Sequence, residues 1–171
     1  QPIKNKNLIL VANGEIYNDL EIREKYSNYR FKTNSDSESI LAVYKTKGIE
    51  GFKELRGMYA FAIYDEEKDE IVISRDEFGI KPLYFTVFNK GLIFCSELNS
   101  LRNVMPNKPS LNNQKVVEQL QYQYCTGNQT IFRGLNRVRP GETLIIQNGK
   151  IKESIFRKLE VKRNITINES Y

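Results

Sequence analysis

An amide, a glycine and a carboxylate follow one another where the first long apolar segment of the chain ends. Asn13, Gly14 and Glu15 come directly after the apolar residues 8–12. A glycine lets another group approach its backbone closely, so the Gly14 N–H and the Asn13 side-chain NH₂ can donate to one oxygen atom. Two such donors form an oxyanion hole, each typically worth about 10²–10³ in rate. Glu15 would then be free to pair with a cation. The alternative is a strand that ends in a turn, since Asn-Gly is a common turn dipeptide.

The composition limits the chemistry open to the chain. Its 171 residues, 40% of them hydrophobic, suffice for one domain with a substantial core. There is no histidine, which excludes a Ser-His-Asp triad, a Cys-His pair and a histidine-based metal site, and we expect no metal. Of the two cysteines, Cys95 lies in an apolar run and is expected to be a buried, inert thiol. A disulfide between Cys95 and Cys125 is not required in a chain of this size.

Charge is spread along the chain. The net charge is +5, from 26 basic and 21 acidic residues, and runs such as residues 21–25 are expected to be solvent-exposed faces. The basic stretch 152–163 lacks the interleaved aromatic residues of a nucleic-acid track, so no nucleic-acid partner is predicted. Nothing resembles a signal peptide or a membrane span. We expect a cytoplasmic protein without membrane contact.

The hydrophobic pattern indicates helices and antiparallel hairpins. The first strand is predicted to end at Ala12 or Asn13, and a short helix to follow with Leu20 and Ile22 facing inward. Further helices are predicted after residues 35–38 and over 113–122, the latter with Val116, Val117 and Leu120 on one face. Hairpins are predicted from the pairs 58–64 with 71–74, 83–88 with 92–95, and 143–146 with 150 onward. Because the first two hairpins are apolar on both faces, they predict sheets that are covered on both sides.

Five separated segments together resemble a known family. They are residues 13–18 (Asn-Gly-Glu-Ile-Tyr-Asn), 33–38 (Thr-Asn-Ser-Asp-Ser-Glu), 57–65 (Gly-Met-Tyr-Ala-Phe-Ala-Ile-Tyr-Asp), 74–84 (Ser-Arg-Asp-Glu-Phe-Gly-Ile-Lys-Pro-Leu-Tyr) and the pair Ser96-Glu97. In this order and spacing they resemble the glutaminase domain of glutamine-hydrolysing asparagine synthetases, which are class II glutamine amidotransferases. The later Pro140-Gly141 hairpin is similar to the end of that domain.

The resemblance implies an α+β fold of the N-terminal-nucleophile hydrolase type, with two stacked antiparallel β-sheets between α-helical layers. In the family, an N-terminal cysteine attacks the side-chain amide of glutamine with help from its own α-amino group. The released ammonia passes to a C-terminal synthetase domain, which uses ATP and Mg²⁺ to amidate aspartate. The implied partners are therefore L-glutamine and that domain, while no cofactor is expected within the present residues. A homo-oligomer is compatible with the sequence.

Position by position, the resemblance assigns Asn13 and Gly14 to the oxyanion hole. Asn13, Gly14, Glu15 and Asp36 are implied to contact glutamine, with Asp36 pairing with its α-ammonium group. A hydrogen bond to a charged partner is worth roughly 1.5–3 kcal/mol, which suits selection for a free amino acid. Read from the local pattern alone, Asp36 has the simpler role of a helix cap.

Two further residues of the resemblance, Arg75 and Asp76, are expected to hold loops together as an internal ion pair. The chain begins Gln1-Pro2-Ile3, which is similar to the family some distance inside the domain. The nucleophilic cysteine and the arginine expected to bind the substrate carboxylate are then not encoded here. We expect residues 1–156 to be an N-terminally truncated glutaminase domain and residues 157–171 to begin a linker. Missing strands would expose sheet edges and favour self-association.

Two other functions stay open at this point. The same domain fits an amidotransferase-like protein of surface polysaccharide synthesis, since residues 130–135 and the Pro140-Gly141 hairpin suit that wider group. A non-catalytic binding or scaffold domain is the third hypothesis. A gene that begins with Met-Cys upstream of Gln1 would favour the two enzymes, and the sequence downstream would separate them.

A polypeptide of residues 1–171 is expected to have no glutaminase activity, because the thiol that must form the acyl-enzyme is not encoded in it. A coupled assay for ammonia or glutamate measures this. Glutamine turnover that disappears on mutation of Cys95 or Cys125 would instead identify that cysteine as the nucleophile.

Overall fold

The computed structural model describes residues 1–88 and 91–157, so all but the first residue of the predicted linker lies outside the described part of the chain. Within that part, nine strands form two antiparallel sheets. The strands are β1 (Ile3–Asn5), β2 (Leu8–Ile16), β3 (Gly57–Asp65), β4 (Glu70–Arg75), β5 (Tyr84–Phe88), β6 (Gly91–Cys95), β7 (Asn136–Arg137), β8 (Glu142–Gln147) and β9 (Lys150–Phe156). The larger sheet has the order β1-β2-β3-β4-β8-β9 and the smaller one the order β6-β5-β7.

Helices pack on both sheets. They are α1 (Asp19–Lys25), α2 (Glu38–Lys47), α3 (Leu98–Asn103) and α4 (Asn113–Tyr122), and a 3₁₀ helix, Gly48–Glu54, follows α2. None of the described helices is long and apolar enough to cross a membrane. In the same residues, no group of three or more His, Cys, Asp or Glu side chains is arranged to hold a metal ion.

The larger sheet separates two apolar layers, because its central strands are apolar on both faces. One layer joins β2 and β3 to α1 and α2, and it includes Leu10, Ile22, Ile40, Leu41, Phe61 and Ile63. The other joins β3, β4 and β8 to the smaller sheet, and it includes Ala60, Ala62, Ile73, Phe85, Val138 and Leu144. This arrangement confirms the predicted α+β fold, in which stacked antiparallel sheets lie between helices.

The predicted hairpins are all present, as β3–β4, β5–β6 and β8–β9. On α1, the predicted burial of Ile22 is confirmed, whereas the predicted burial of Leu20 is wrong, since this side chain is 80% exposed. On α4, Val117 and Leu120 form an exposed face. The buried side chain of that helix is Lys115, whose ammonium group donates to the Glu118 carboxylate at 2.7 Å.

The strand β2 is longer than predicted, which places the candidate site inside a strand. It ends at Ile16 and pairs in register with β3, so that Gly14 lies opposite Tyr59 and Ile16 opposite Gly57. Gly14 has a φ of +152°, and a Cβ at this position would lie 2.1 Å from the Met58 carbonyl oxygen. The turn proposed as the alternative at Asn13-Gly14 is therefore wrong, and glycine is required by the close approach of two backbones.

Arg75 and Asp76 hold loops together, as predicted, but through the backbone and not as an ion pair. The Asp76 carboxylate is fully buried and accepts the N–H groups of four residues, namely Tyr59, Phe78, Ile80 and Lys81. The Arg75 guanidinium donates to three carbonyls, those of Gly79, Lys81 and Val138. Burial lowers the pKa of Arg75. Each charge thus stabilises a loop that leaves the end of β4.

Replacing Gly14 by alanine should lower the free energy of unfolding by about 3–5 kcal/mol, because backbone strain and a steric clash add together. Gly127 is a matched control, since it also has positive φ, +68°, but has no atom within 4 Å of an added Cβ. Gly127→Ala should cost about 1–2 kcal/mol. Denaturant unfolding measures both values, and equal losses would contradict the clash at Gly14.

Candidate functional site

The candidate site lies along the open edge of β2. Pairing with β1 ends at Leu10, so beyond that point β3 is the one strand neighbour of β2 among the described residues. The Gln1 side-chain amide closes part of the edge, since it accepts the Ala12 N–H at 2.8 Å and donates to the Ala12 carbonyl at 2.7 Å. Farther along, the Ile16 N–H donates to Asp36 Oδ2 at 2.6 Å.

The Gly14 N–H points to this open edge, between those two positions. Alternate residues of a strand direct their backbone groups to the same side, and Gly14 lies midway between Ala12 and Ile16. Its partner residue Tyr59 bonds in the opposite direction: the Tyr59 N–H donates to Asp76 Oδ2 at 3.3 Å and its carbonyl accepts the Asp76 N–H at 2.8 Å. The Gly14 N–H is therefore available to an acceptor from outside the strand.

The Asn13 side chain extends from β2 towards the end of β6. Its Nδ2 atom donates to Ser96 Oγ at 3.4 Å, and no described residue accepts the second N–H of the amide. Asn13, Cys95 and Ser96 line a cavity of about 160 Å³ between the two sheets. The structure thus places both predicted oxyanion donors next to each other, and their convergence on one oxygen remains a prediction.

The cysteines differ from expectation in one respect. Cys95 is half-buried and lines this cavity. The prediction that its thiol is buried is therefore wrong. Cys125 is buried, and its burial raises the pKa of the thiol. Both thiols are free.

Glu15 and Asp36 complete the predicted set. Side chains two residues apart on a strand share a face, so Glu15 projects on the same side as Asn13, and it is exposed. Asp36 is joined to this segment through Ile16, and its Oδ1 atom has no hydrogen-bond partner in the described residues. The helix-capping alternative for Asp36 is wrong, because α2 begins after Ser37 without a side-chain cap.

Two buried or partly buried charges hold Asp36 beside β2. Glu38 is fully buried, and its carboxylate accepts the N–H groups of Lys32 and Thr33 as well as the Thr33 hydroxyl. Arg23 donates to the carbonyls of Thr33 and Ser35, at 3.1 and 2.8 Å. Residues 32–35, which lead into Asp36, are therefore fixed from two sides.

Sequence reasoning missed Arg23 and Glu38. Arg23 occurs in a charged run that was expected to be solvent-exposed, yet its Nε atom donates to Asp19 at 2.9 Å. The spacing of four residues on one helix was the available signal for that pair. For Glu38 the available signal was its place in the segment 33–38, although its burial was not expected because glutamate is rarely fully buried.

A larger depression, of about 830 Å³, lies at the Ile16 end of β2, where Gly57 of β3 forms part of its wall. Tyr17, Phe78 and Ile80 line it and are largely exposed. At its edge Arg157 pairs with Glu77 at 2.8 Å. A contiguous set of exposed apolar side chains is typical of a contact surface.

Comparison with known proteins identifies the domain type. Residues 1–157 match the family model described as "Glutamine amidotransferase domain". The chain is 35% identical over 156 residues to asparagine synthetase [glutamine-hydrolyzing] 1 of Bacillus subtilis, and the aligned region covers 90% of this chain and 24% of that protein. It is 47% identical over 105 residues to asparagine synthetase B [glutamine-hydrolyzing] of Escherichia coli, which covers 59% of this chain and 19% of that protein. The chain thus spans 24% or less of the length of these relatives.

Solved structures share the fold. The glutamine phosphoribosylpyrophosphate amidotransferase of B. subtilis, complexed with ADP and GMP, superposes with a TM-score of 0.61 at 22% identity, over 94% of this chain and 32% of that one. A glutamine aminotransferase class-II domain protein from Silicibacter pomeroyi gives 0.51 at 16% identity, over 92% of this chain and 70% of that one. With the family match over residues 1–157, these likenesses show that the chain belongs to the class II glutamine amidotransferase domain family and has its N-terminal-nucleophile hydrolase fold.

Proposed function

We propose that this chain is the glutaminase portion of an ATP-dependent asparagine synthetase, which hydrolyses L-glutamine to glutamate and supplies ammonia to amidate aspartate. The feature that carries the proposal is the Gly14 N–H, which the strand register directs to the open edge of β2 between the Asn13 amide and the Asp36 carboxylate. The relatives named above are glutamine-hydrolysing asparagine synthetases, which favours this function over polysaccharide synthesis or a scaffold.

In the proposed mechanism, Asp36 Oδ1 binds the α-ammonium group of glutamine, because this oxygen is free while Oδ2 is held by the Ile16 N–H. Glu15 contacts the same end of the substrate. The side-chain carbonyl of glutamine then accepts hydrogen bonds from Gly14 and Asn13. These donors need little reorganisation, since β3 fixes Gly14 and Ser96 fixes one N–H of Asn13.

The nucleophile in the full-length protein is proposed to be an N-terminal cysteine, whose α-amino group removes the thiol proton. Addition of the thiolate to the amide carbon moves negative charge onto the carbonyl oxygen, where the two donors stabilise it. The α-ammonium group then gives its proton to the amide nitrogen, so collapse of this intermediate releases ammonia and leaves a thioester, which water hydrolyses to glutamate and the free thiol. No histidine is required, which agrees with a chain that has none.

The domain is proposed to comprise residues 1–156 and to act in the cytoplasm beside a C-terminal synthetase domain that holds ATP and Mg²⁺. The depression around Phe78 and Ile80 is the surface proposed to contact that domain. Its exposed apolar side chains suit burial against a partner, and it lies at the same end of β2 as the Asp36 site.

Asn13→Ala in the full-length protein should lower kcat for glutamine by about 10²–10³ with a smaller change in KM, because the carbonyl oxygen becomes negative only as the thiolate adds. Steady-state kinetics with glutamine measures both constants. Asn148→Ala, at an exposed turn position, is the control and should leave both unchanged. An intact kcat in Asn13→Ala would remove Asn13 from the oxyanion hole.

Asp36→Asn should raise KM for glutamine by about 10- to 100-fold with a smaller effect on kcat, because the substrate ammonium is charged throughout the reaction. The asparagine keeps an oxygen to accept the Ile16 N–H, so the loop should stay in place. Asp69→Asn, at an exposed position of the β3–β4 turn, is the matched control.

Ammonia-dependent asparagine synthesis should survive both substitutions, since neither residue belongs to the acceptor site. Equal losses with glutamine and with ammonia would show instead that Asn13 and Asp36 maintain the fold and do not handle glutamine.

A further inference from the structure

A third concave surface lies at the opposite end of β2 from the candidate site. This basic depression, of about 880 Å³, opens between the β1–β2 turn and the C-terminal ends of α1 and α2. Among the described residues, its lining includes no acidic residue and five cationic ones: Lys6, Lys25, Arg30, Lys32 and Lys45. Asn5, which forms part of its floor, pairs with Leu8. Since Leu8 is five positions from Asn13, the strand rise separates the depression from the candidate site by about 16 Å.

Most of these cations have no carboxylate partner. Lys25 pairs with Glu54 at 2.7 Å, whereas the other four form no ion pair within the described residues. Lys25 and Lys45 lie in the last turns of helices, where a cation stabilises the helix dipole. Lys6, Arg30 and Lys32 lie outside helices, so this explanation does not extend to them. Like charges around one concavity attract a multiply charged anion.

The floor of the depression holds a buried hydrogen-bond donor. Asn5 Nδ2 donates to Tyr29 Oη at 2.7 Å and to the Arg30 carbonyl at 3.2 Å, which fixes the orientation of the amide. Tyr29 is 8% exposed, and its own O–H has no acceptor among the residues the structure describes. Burial raises the pKa of Tyr29 to about 12, so the proton stays on the phenol at neutral pH.

We propose that this basic depression binds a small molecule that carries a di- or triphosphate group. Adjacent phosphates offer several negative charges within a short distance, which matches several unpaired cations and one buried O–H donor. A single carboxylate would leave most of the cations unbalanced. Nucleic acid fits less well, because Tyr26 and Tyr29 are both buried and present no face for base stacking. The volume lies within the usual range for ligand sites, about 300–1,000 Å³.

Isothermal titration of a polypeptide of residues 1–171, which lacks the ATP site of the proposed synthetase domain, tests the proposal with inorganic tripolyphosphate and separately with ADP. Saturable binding of either is expected, and comparable dissociation constants would assign recognition to the phosphates, whereas tighter binding of ADP would add a nucleoside contact. Lys6→Gln combined with Arg30→Gln should raise Kd by about tenfold or more. Tyr29→Phe should raise it by about threefold to tenfold, with its thermal unfolding measured to check that the fold is intact.

Lys108→Gln combined with Lys150→Gln is the matched control, since both lysines are exposed, lie outside the depression and form no ion pair in the described residues. This pair should leave Kd unchanged. Absence of saturable binding, or equal weakening by the two double variants, would overturn the proposal, the second by showing attraction to net charge alone. In the full-length protein, the Lys6 and Arg30 double variant should hydrolyse glutamine with unchanged kcat and KM. The glutaminase proposal therefore stands or fails separately.

Discussion

The backbones of β2 and β3 approach so closely at Gly14 and Gly57 that neither residue can carry a side chain. β3 contributes to both apolar layers, with Phe61 and Ile63 on one side and Ala60 and Ala62 on the other. Its position is therefore set by the whole core. β2 is held against it over nine paired positions, so the placement of the candidate site follows from the packing of the sandwich.

The same pairing explains why a backbone donor remains free in an otherwise well-bonded sheet. Tyr59 directs both of its backbone groups to Asp76 and none to Gly14. Backbone N–H groups in a folded protein are normally hydrogen-bonded. A ligand acceptor can therefore provide the hydrogen bond that the Gly14 N–H does not make to β3. Gly14 thus serves packing and ligand access through one property, the absence of a side chain.

The sequence was sufficient for the hairpins, because their apolar strands and polar turns alternate clearly. The segments around Asn13 and Asp36 resemble those of a known family, and the roles this resemblance implies for them stay predictions. It was insufficient for the end of β2, since Asn-Gly resembles a turn and only the partner strand shows that pairing continues to Ile16. Periodicity placed Leu20 inward although it is exposed, because spacing defines a face without stating what covers it. The charged run around Arg23 predicted a solvent-exposed side chain, but Arg23 donates to carbonyls of the loop that precedes α2.

The guanidinium group of Arg75 has a consequence for how the domain tolerates change. It bonds to the carbonyls of Gly79 and Lys81 on one side and of Val138 on the other. The two ends of the segment between residues 82 and 137 are therefore held together by the Arg75 guanidinium. This segment contains the smaller sheet together with α3 and α4. An insertion or deletion in a loop between residues 82 and 137 changes the length of that segment without moving the ends of β4 and β8. β2 and Asp36 are in this way insulated from length changes in those loops, and the contact of Asn13 with Ser96 is the point at which the candidate site depends on the other half of the domain.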